Sequence, residues 1–363
     1  MNIIKFLLKG LFSNKVIIED GKKQKWWLSF VVLVVSIVLS VTPILINALN
    51  SNGSDYITSY TTRNVDYSLE RLSVEYMNGN NAKVELKIQD QKMVMDETKS
   101  FANLENKKSV TLKNNETFYY VEISQDTNVT LIVGYVPYST EDINVYENEV
   151  AKLDYARKQL VANYQTTTEV NENGYLSATV NNTLIFSTNQ FRLSISEPNS
   201  TVNYKVVENV VSLEKEPSYV AFSGLYSEID TKYQNLTNFY SSNRNQMIDR
   251  WSNFFDQAYN PLKVSTALAS TAIFVSLNAF VVLAMTITLM IMSRFKTALC
   301  EKLSFGASLK YISFASLCPA ILSFVVYFIM PSMQSMAFFT FLALRSIFFS
   351  TKLTRGEFLA DKK

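Results

Sequence analysis

The sequence predicts an α+β protein of the membrane. A four-helix transmembrane anchor carries a large extracytoplasmic domain, an antiparallel sheet with helices, inserted between helices 1 and 2. Three observations predict this. Four apolar runs approach or exceed the ~20 residues that cross a ~30 Å hydrocarbon core. Charge is sorted around them: stretches 1–26, 294–310 and 352–363 carry net +4, +3 and +2, while residues 51–263 hold 19 Lys+Arg against 27 Asp+Glu, a net −8. The polar middle alternates apolar and polar residues between turn signals, as half-buried strands do. Lys and Arg beside membrane spans stay on the cytoplasmic side. Both ends of the sequence and the 294–310 loop are therefore expected inside, and the 50–263 domain outside.

Residues 1–26 form the basic inner segment. Ile3, Ile4, Leu7, Leu8, Leu11 and Phe12 recur near helical period among Lys5, Lys9 and Lys15, which suits a helix lying on the inner leaflet; the alternative is a disordered basic tail. The first span is 27–49. Trp26 and Trp27 stand at its cytoplasmic edge as interfacial anchors. It exceeds a 7–15-residue signal-peptide core, so a retained helix is expected over a cleaved one.

The outer domain opens with strand-like residues 73–77 and 83–88. Asn78-Gly79-Asn80-Asn81 between them supplies hairpin turn chemistry. Strands follow at 109–112, 118–123 and 129–136. Residues 139–164 read as a helix, capped by Ser139 or Thr140 and begun with Glu141 and Asp142. Strand signals return at 175–180, 183–187, 191–195 and 204–213. Residues 227–260 read as a long helix striped by Leu236, Tyr240, Met247, Trp251, Phe254 and Phe255, as core packing or else a ligand-stacking surface. Pro261 is expected to separate or kink this helix from the next span.

That second span, 264–293, holds 30 uncharged residues. After the basic loop 294–310, the third span covers 311–330 with Pro319 inside it, and the fourth covers 333–350, before a tail at 351–363. Arg345 lies about one turn from the cytoplasmic end of the fourth. A snorkelling anchor that would accept Lys is expected there, the alternative being a buried functional cation.

Composition excludes several chemistries. The chain has no histidine, so Ser-His-Asp triads, His-ligated zinc and HExxH helices are ruled out. Neither GxxxxGK[ST] nor GxGxxG occurs, which removes the usual nucleotide cradles. No cofactor or metal site, no nucleic-acid partner and no enzymatic activity are expected; a carboxylate hydrolase is the least favoured class. The two cysteines, Cys300 and Cys318, fall outside 51–263. An outer domain without disulfides fits a bacterial plasma membrane better than an animal cell surface.

Two spans carry small residues at helical spacing. Ser265, Ala269, Ala272, Ser276 and Ala279 share one face of the second, with Asn278 the strongly polar group near them. Ser313, Ser316, Ala320 and Ser323 share one face of the third. Small faces let backbones approach closely in lipid. They predict either that these two helices pack together or that they form the interface to another membrane protein.

The layout resembles a family of bacterial membrane proteins known as maltodextrose utilisation proteins. The likeness lies in Phe6-Leu7-Leu8-Lys9-Gly10-Leu11-Phe12-Ser13, Lys22-Lys23-Gln24-Lys25, Thr183-Leu184-Ile185-Phe186-Ser187-Thr188 and Ala315-Ser316-Leu317-Cys318-Pro319-Ala320. No catalytic signature is among these residues. The resemblance implies an accessory role beside a transporter. The expectation is therefore a non-enzymatic plasma-membrane protein that contacts lipid and whose outer domain binds a membrane or surface protein. The alternative is a membrane-anchored sensor or binding subunit for a small ligand such as an oligosaccharide.

Overall fold

The computed structural model describes residues 3–58, 65–111, 117–125, 128–136, 175–179, 182–196, 201–207, 210–213, 219–294, 302–330 and 333–355. The helix expected at 139–164 lies outside the described residues. The fold is α+β, and the chain forms two compact units: Met1–Asn50 with Val264–Lys363, and Ser51–Lys263.

Among the described residues, three helices are long and apolar enough to cross a membrane: Trp26–Asn50 (α3), Arg244–Arg294 (α6) and Phe305–Ile329 (α7). The protein is thus membrane-associated. The fourth expected span is also helical, Gln334–Arg355 (α8), with a shorter apolar stretch at Met336–Thr351. The basic segment 1–26 contains two helices, Ile3–Phe12 (α1) and Asn14–Gly21 (α2), because the chain breaks at Ser13. Helix α7 packs on α3, α8, α1 and α2. Phe6 meets Phe314 edge-on at 5.0 Å, and Ile17 is fully buried. Pro261 lies inside α6 without ending it, contrary to the expected break.

The second unit begins with Asp55–Thr58 (α4) and Val65–Glu75 (α5). Residues 73–75, expected in a strand, finish α5. Val65, Leu69, Leu72 and Tyr76 stand four, three and four apart and are all buried; that helical face outweighs a five-residue alternation. Gly79, at φ +48°, starts a short 3₁₀ turn instead of a hairpin. The hairpin lies further on: Leu86–Gln89 (β1) pairs with Lys92–Met95 (β2) across Asp90 and Gln91, whose φ values are 50° and 62°. A two-residue turn with both φ positive matches strand twist.

A six-stranded sheet dominates this unit, in the order β11-β8-β7-β5-β4-β3. Its strands are Lys108–Thr111 (β3), Thr117–Gln125 (β4), Asn128–Val136 (β5), Asn182–Ser187 (β7), Gln190–Ser196 (β8) and Tyr219–Leu225 (β11). The sheet is mixed rather than wholly antiparallel: β5 and β7 run parallel, with Leu131 opposite Asn182. A parallel pair requires a long crossover, and more than forty residues separate these two strands. The segment expected as one strand at 204–213 is two, Thr201–Val207 (β9) and Val210–Leu213 (β10), which join Tyr175–Thr179 (β6) in a three-stranded sheet. Strand β11 went unread in the sequence.

The long helix expected from 227 begins at Arg244. Before it, Asn235 caps a 3₁₀ turn at Leu236–Phe239 by accepting from the Thr237 amide at 3.1 Å. Leu236, Met247, Trp251, Phe254 and Phe255 are buried in the core, and Tyr240 is half-buried. Phe191 of β8 lies 5.4 and 5.2 Å from the rings of Phe254 and Phe255. Gly224 permits this approach: a Cβ there would sit 2.4 Å from the Phe191 ring and 2.8 Å from Ala258 Cβ.

Two carboxyls beside the hairpin are held in their charged form. Lys87 and Lys99, the latter at 3.2 Å, hold the Glu85 carboxyl below the usual carboxylate range. The Thr98 hydroxyl at 2.5 Å and the Thr98 amide do the same for Asp96. A depressed folded pKa gives stability that is present above the unfolded value, about 4.3 for Glu, and lost as pH falls through the folded value. Residues 51–263, expressed alone, should therefore have an unfolding midpoint that drops as pH falls below about 4.3. Glu85→Gln should shrink that drop. An unchanged pH profile in the variant would refute the assignment.

Candidate helix-packing and partner interface

Arg345 stands on α8 inside an apolar run, and the structure gives its guanidinium three acceptors on three elements. Nε donates to Asn14 Oδ1 at 3.1 Å, Nη1 to the Ala315 carbonyl at 3.0 Å, and Nη2 to the Gly10 carbonyl. Each acceptor has a local reason to need a donor. Gly10 lies in the last turn of α1, where carbonyls lose their intrahelical partners. Asn14 opens α2. Ala315 is four residues before Pro319, whose ring nitrogen has no hydrogen to give. The planar guanidinium, with five donors in a fixed fork, satisfies all three. Arg345 is partly buried, and these hydrogen bonds join α1, α2 and α7 to α8.

Asn278 on α6 is also used within the chain. Its Nδ2 donates to Ser40 Oγ at 2.8 Å, and Ser40 in turn donates to the Ile37 carbonyl at 2.8 Å. Both side chains are buried, tying α6 to α3.

The two small-residue faces part company. On α7, Ser313, Ser316, Ala320 and Ser323 are all buried. On α6, Ser265, Ala269, Ala272 and Ser276 are exposed, and only Ala279 is half-buried. The structure does not bring the two faces together along their length; they meet at one end, where Ala279 and Ser313 line a common cavity. The partner of the α7 face is α3 and α8.

Trp26 and Trp27 are half-exposed at the start of α3, 50% and 55% accessible. Ile4, Leu8 and Phe12, at i, i+4 and i+8 on α1, are exposed, while Phe6 and Gly10 point inward. Among the described residues no cluster of three or more Cys, Asp or Glu could hold a metal ion. Compared with known protein families, with curated proteins and with solved structures, the chain matches none.

Proposed function

We propose that the protein is a non-enzymatic, four-span protein of a bacterial plasma membrane that assembles with a second membrane or surface protein, as an accessory subunit of a transporter or surface complex. The exposed face Ala269, Ala272 and Ser276 on α6 carries this reading. The matching kind of face on α7 is consumed by packing inside the chain, whereas this one is left outward, and small faces serve close helix approach in lipid. The outer domain would contribute the rest of the contact. Ala272→Leu or Ser276→Leu should release a protein that co-purifies in mild detergent, with the melting temperature of the chain itself unchanged. Val275→Leu, on another face, should not. Equal retention in all three variants would refute the reading.

A second reading, a binding subunit for a small polar ligand such as an oligosaccharide, draws on the six-stranded sheet. Thr183 and Ser194 are cross-strand partners, both buried, and their hydroxyls have no hydrogen-bond partner among the described residues; both amide atoms of Gln190 are in the same condition. Stabilisation of residues 51–263 by maltotriose would favour this reading, and its absence would remove it.

The proposed topology places both ends inside and residues 51–263 outside, from the charge sorting. With Cys300 and Cys318 replaced by Ser, a cysteine at the exposed position Glu105 should react with an impermeant thiol reagent on intact cells. One at the exposed position Lys302 should not. The reverse pattern would invert the topology.

A further inference from the structure

Between α3, α6 and α7 lies a cavity of about 270 Å³. Its α3 wall runs from Trp26 through Phe30 and Leu33 to Ile37, and Ala279 and Leu283 face it from α6. Eleven steps of 1.5 Å rise make this wall about 17 Å long, close to one leaflet of a ~30 Å hydrocarbon core. The hydroxyls in the wall belong to Ser29 and Ser313. Each is already donated within its own helix, to the Trp26 carbonyl at 2.6 Å and the Leu309 carbonyl at 2.7 Å. By volume about nine waters would fit, but a held water needs two to four polar partners. The cavity is therefore one for hydrocarbon. It is not sealed, since Phe30 and Leu283 are exposed.

One end of this wall is basic. Lys22, Lys23 and Lys25 precede Trp26 and are exposed. Lys23 pairs with Asp20 at 3.2 Å. Lys310, next to the cavity residue Leu309, donates to the carbonyls of Lys22 at 3.1 Å and Gln24 at 2.5 Å. This bond pair fixes the lysine loop at the mouth. Lysine clusters just cytoplasmic of a span select anionic lipid headgroups.

We infer that the cavity binds one acyl chain of an anionic phospholipid, with the phosphate at the basic loop 22–25. The inference rests on the proposed topology, in which Trp26 lies at the inner headgroup level. The groove has the length of one leaflet, an apolar floor and a cationic mouth at the headgroup end; that sequence of surfaces is complementary to a lipid read from tail to phosphate.

Native mass spectrometry of the full chain, titrated with palmitoyl-oleoyl-phosphatidylglycerol, palmitoyl-oleoyl-phosphatidylcholine or glycerol 3-phosphate, tests it. One phosphatidylglycerol per chain should bind at least tenfold more tightly than phosphatidylcholine, and glycerol 3-phosphate should not bind measurably. Lys22→Gln with Lys25→Gln should remove that preference, at roughly five-fold per lysine. Ala279→Leu should weaken both lipids by filling the groove, and Ile37→Phe should do so from the opposite wall. Equal affinity for the two lipids, binding of glycerol 3-phosphate alone, or unchanged binding in both groove-filling variants would overturn the site. So would a protein that leaves with Ala279→Leu, because a partner helix would then occupy the groove. The partner reading is judged separately, at Ala272 and Ser276 on the exposed face.

Discussion

Arg345→Lys is expected to destabilise the detergent-solubilised chain by about 2–4 kcal/mol, and Arg345→Ala by as much or more. Lysine keeps the charge, but one ammonium cannot reach Gly10, Asn14 and Ala315 at once. Each acceptor left buried without a donor costs about 1–3 kcal/mol. Pro319→Ala supplies the decisive control. Alanine restores an N–H at position 319, which can bond the Ala315 carbonyl within α7, so one of the three acceptors no longer depends on Arg345. In a double-mutant cycle, Arg345→Lys should therefore cost about 1 kcal/mol less in the Pro319→Ala background. Wild-type stability in Arg345→Lys would show the residue to be a plain interfacial anchor. A cycle with no coupling would remove Pro319 from the account.

Trp251→Ala should lower the stability of residues 51–263 by about 3–5 kcal/mol. That corresponds to a fall in midpoint of roughly 6–20 °C for a unit of this size. Trp251 is fully buried, stands edge-on to Phe239 at 4.9 Å and stacks on Phe255 at 5.6 Å. Its Nε1 donates to Ser73 Oγ at 2.9 Å, which ties α6 to α5. Trp251→Phe keeps most of the ring volume and loses this bond, so it should cost about 1 kcal/mol plus a small cavity. The other two tryptophans are Trp26 and Trp27, so the fluorescence of residues 51–263 reports this one site, and circular dichroism follows the variants. A midpoint within 2 °C of wild type after Trp251→Ala would mean that the α5–α6 contact is not part of the core.

What could be read in the sequence follows the range of the interactions. The long spans were legible because hydropathy is local, and β3, β4 and β5 were legible to within a few residues from alternation and turns. Residues 73–75 were misread because a short alternating run fits either period, and the deciding neighbours Val65 and Leu69 lie upstream. The parallel β5–β7 pair has no local signature at all. Pro319 and Arg345 were each visible in the sequence, but nothing local tied one to the other. Only the packing of α8 on α7 brings the guanidinium to the Ala315 carbonyl. Small-residue spacing likewise identified two faces for helix approach, but spacing is the same whether the partner is a neighbouring helix, as on α7, or lies outside the chain.

The Arg345 junction also bears on biogenesis. Its acceptor at Gly10 and its donor are 335 positions apart, so at about 5–20 residues per second a ribosome makes them roughly 15–70 s apart. Throughout that interval the end of α1 holds an open carbonyl, whereas the Ala315 carbonyl of α7, made 30 positions before Arg345, stays open for only about 2–6 s. A chain that stops short of α8 keeps them open permanently. Completion of α8 is thus the event that closes α1, and a product truncated before α8 should be unstable at α1, far from the site of the deletion.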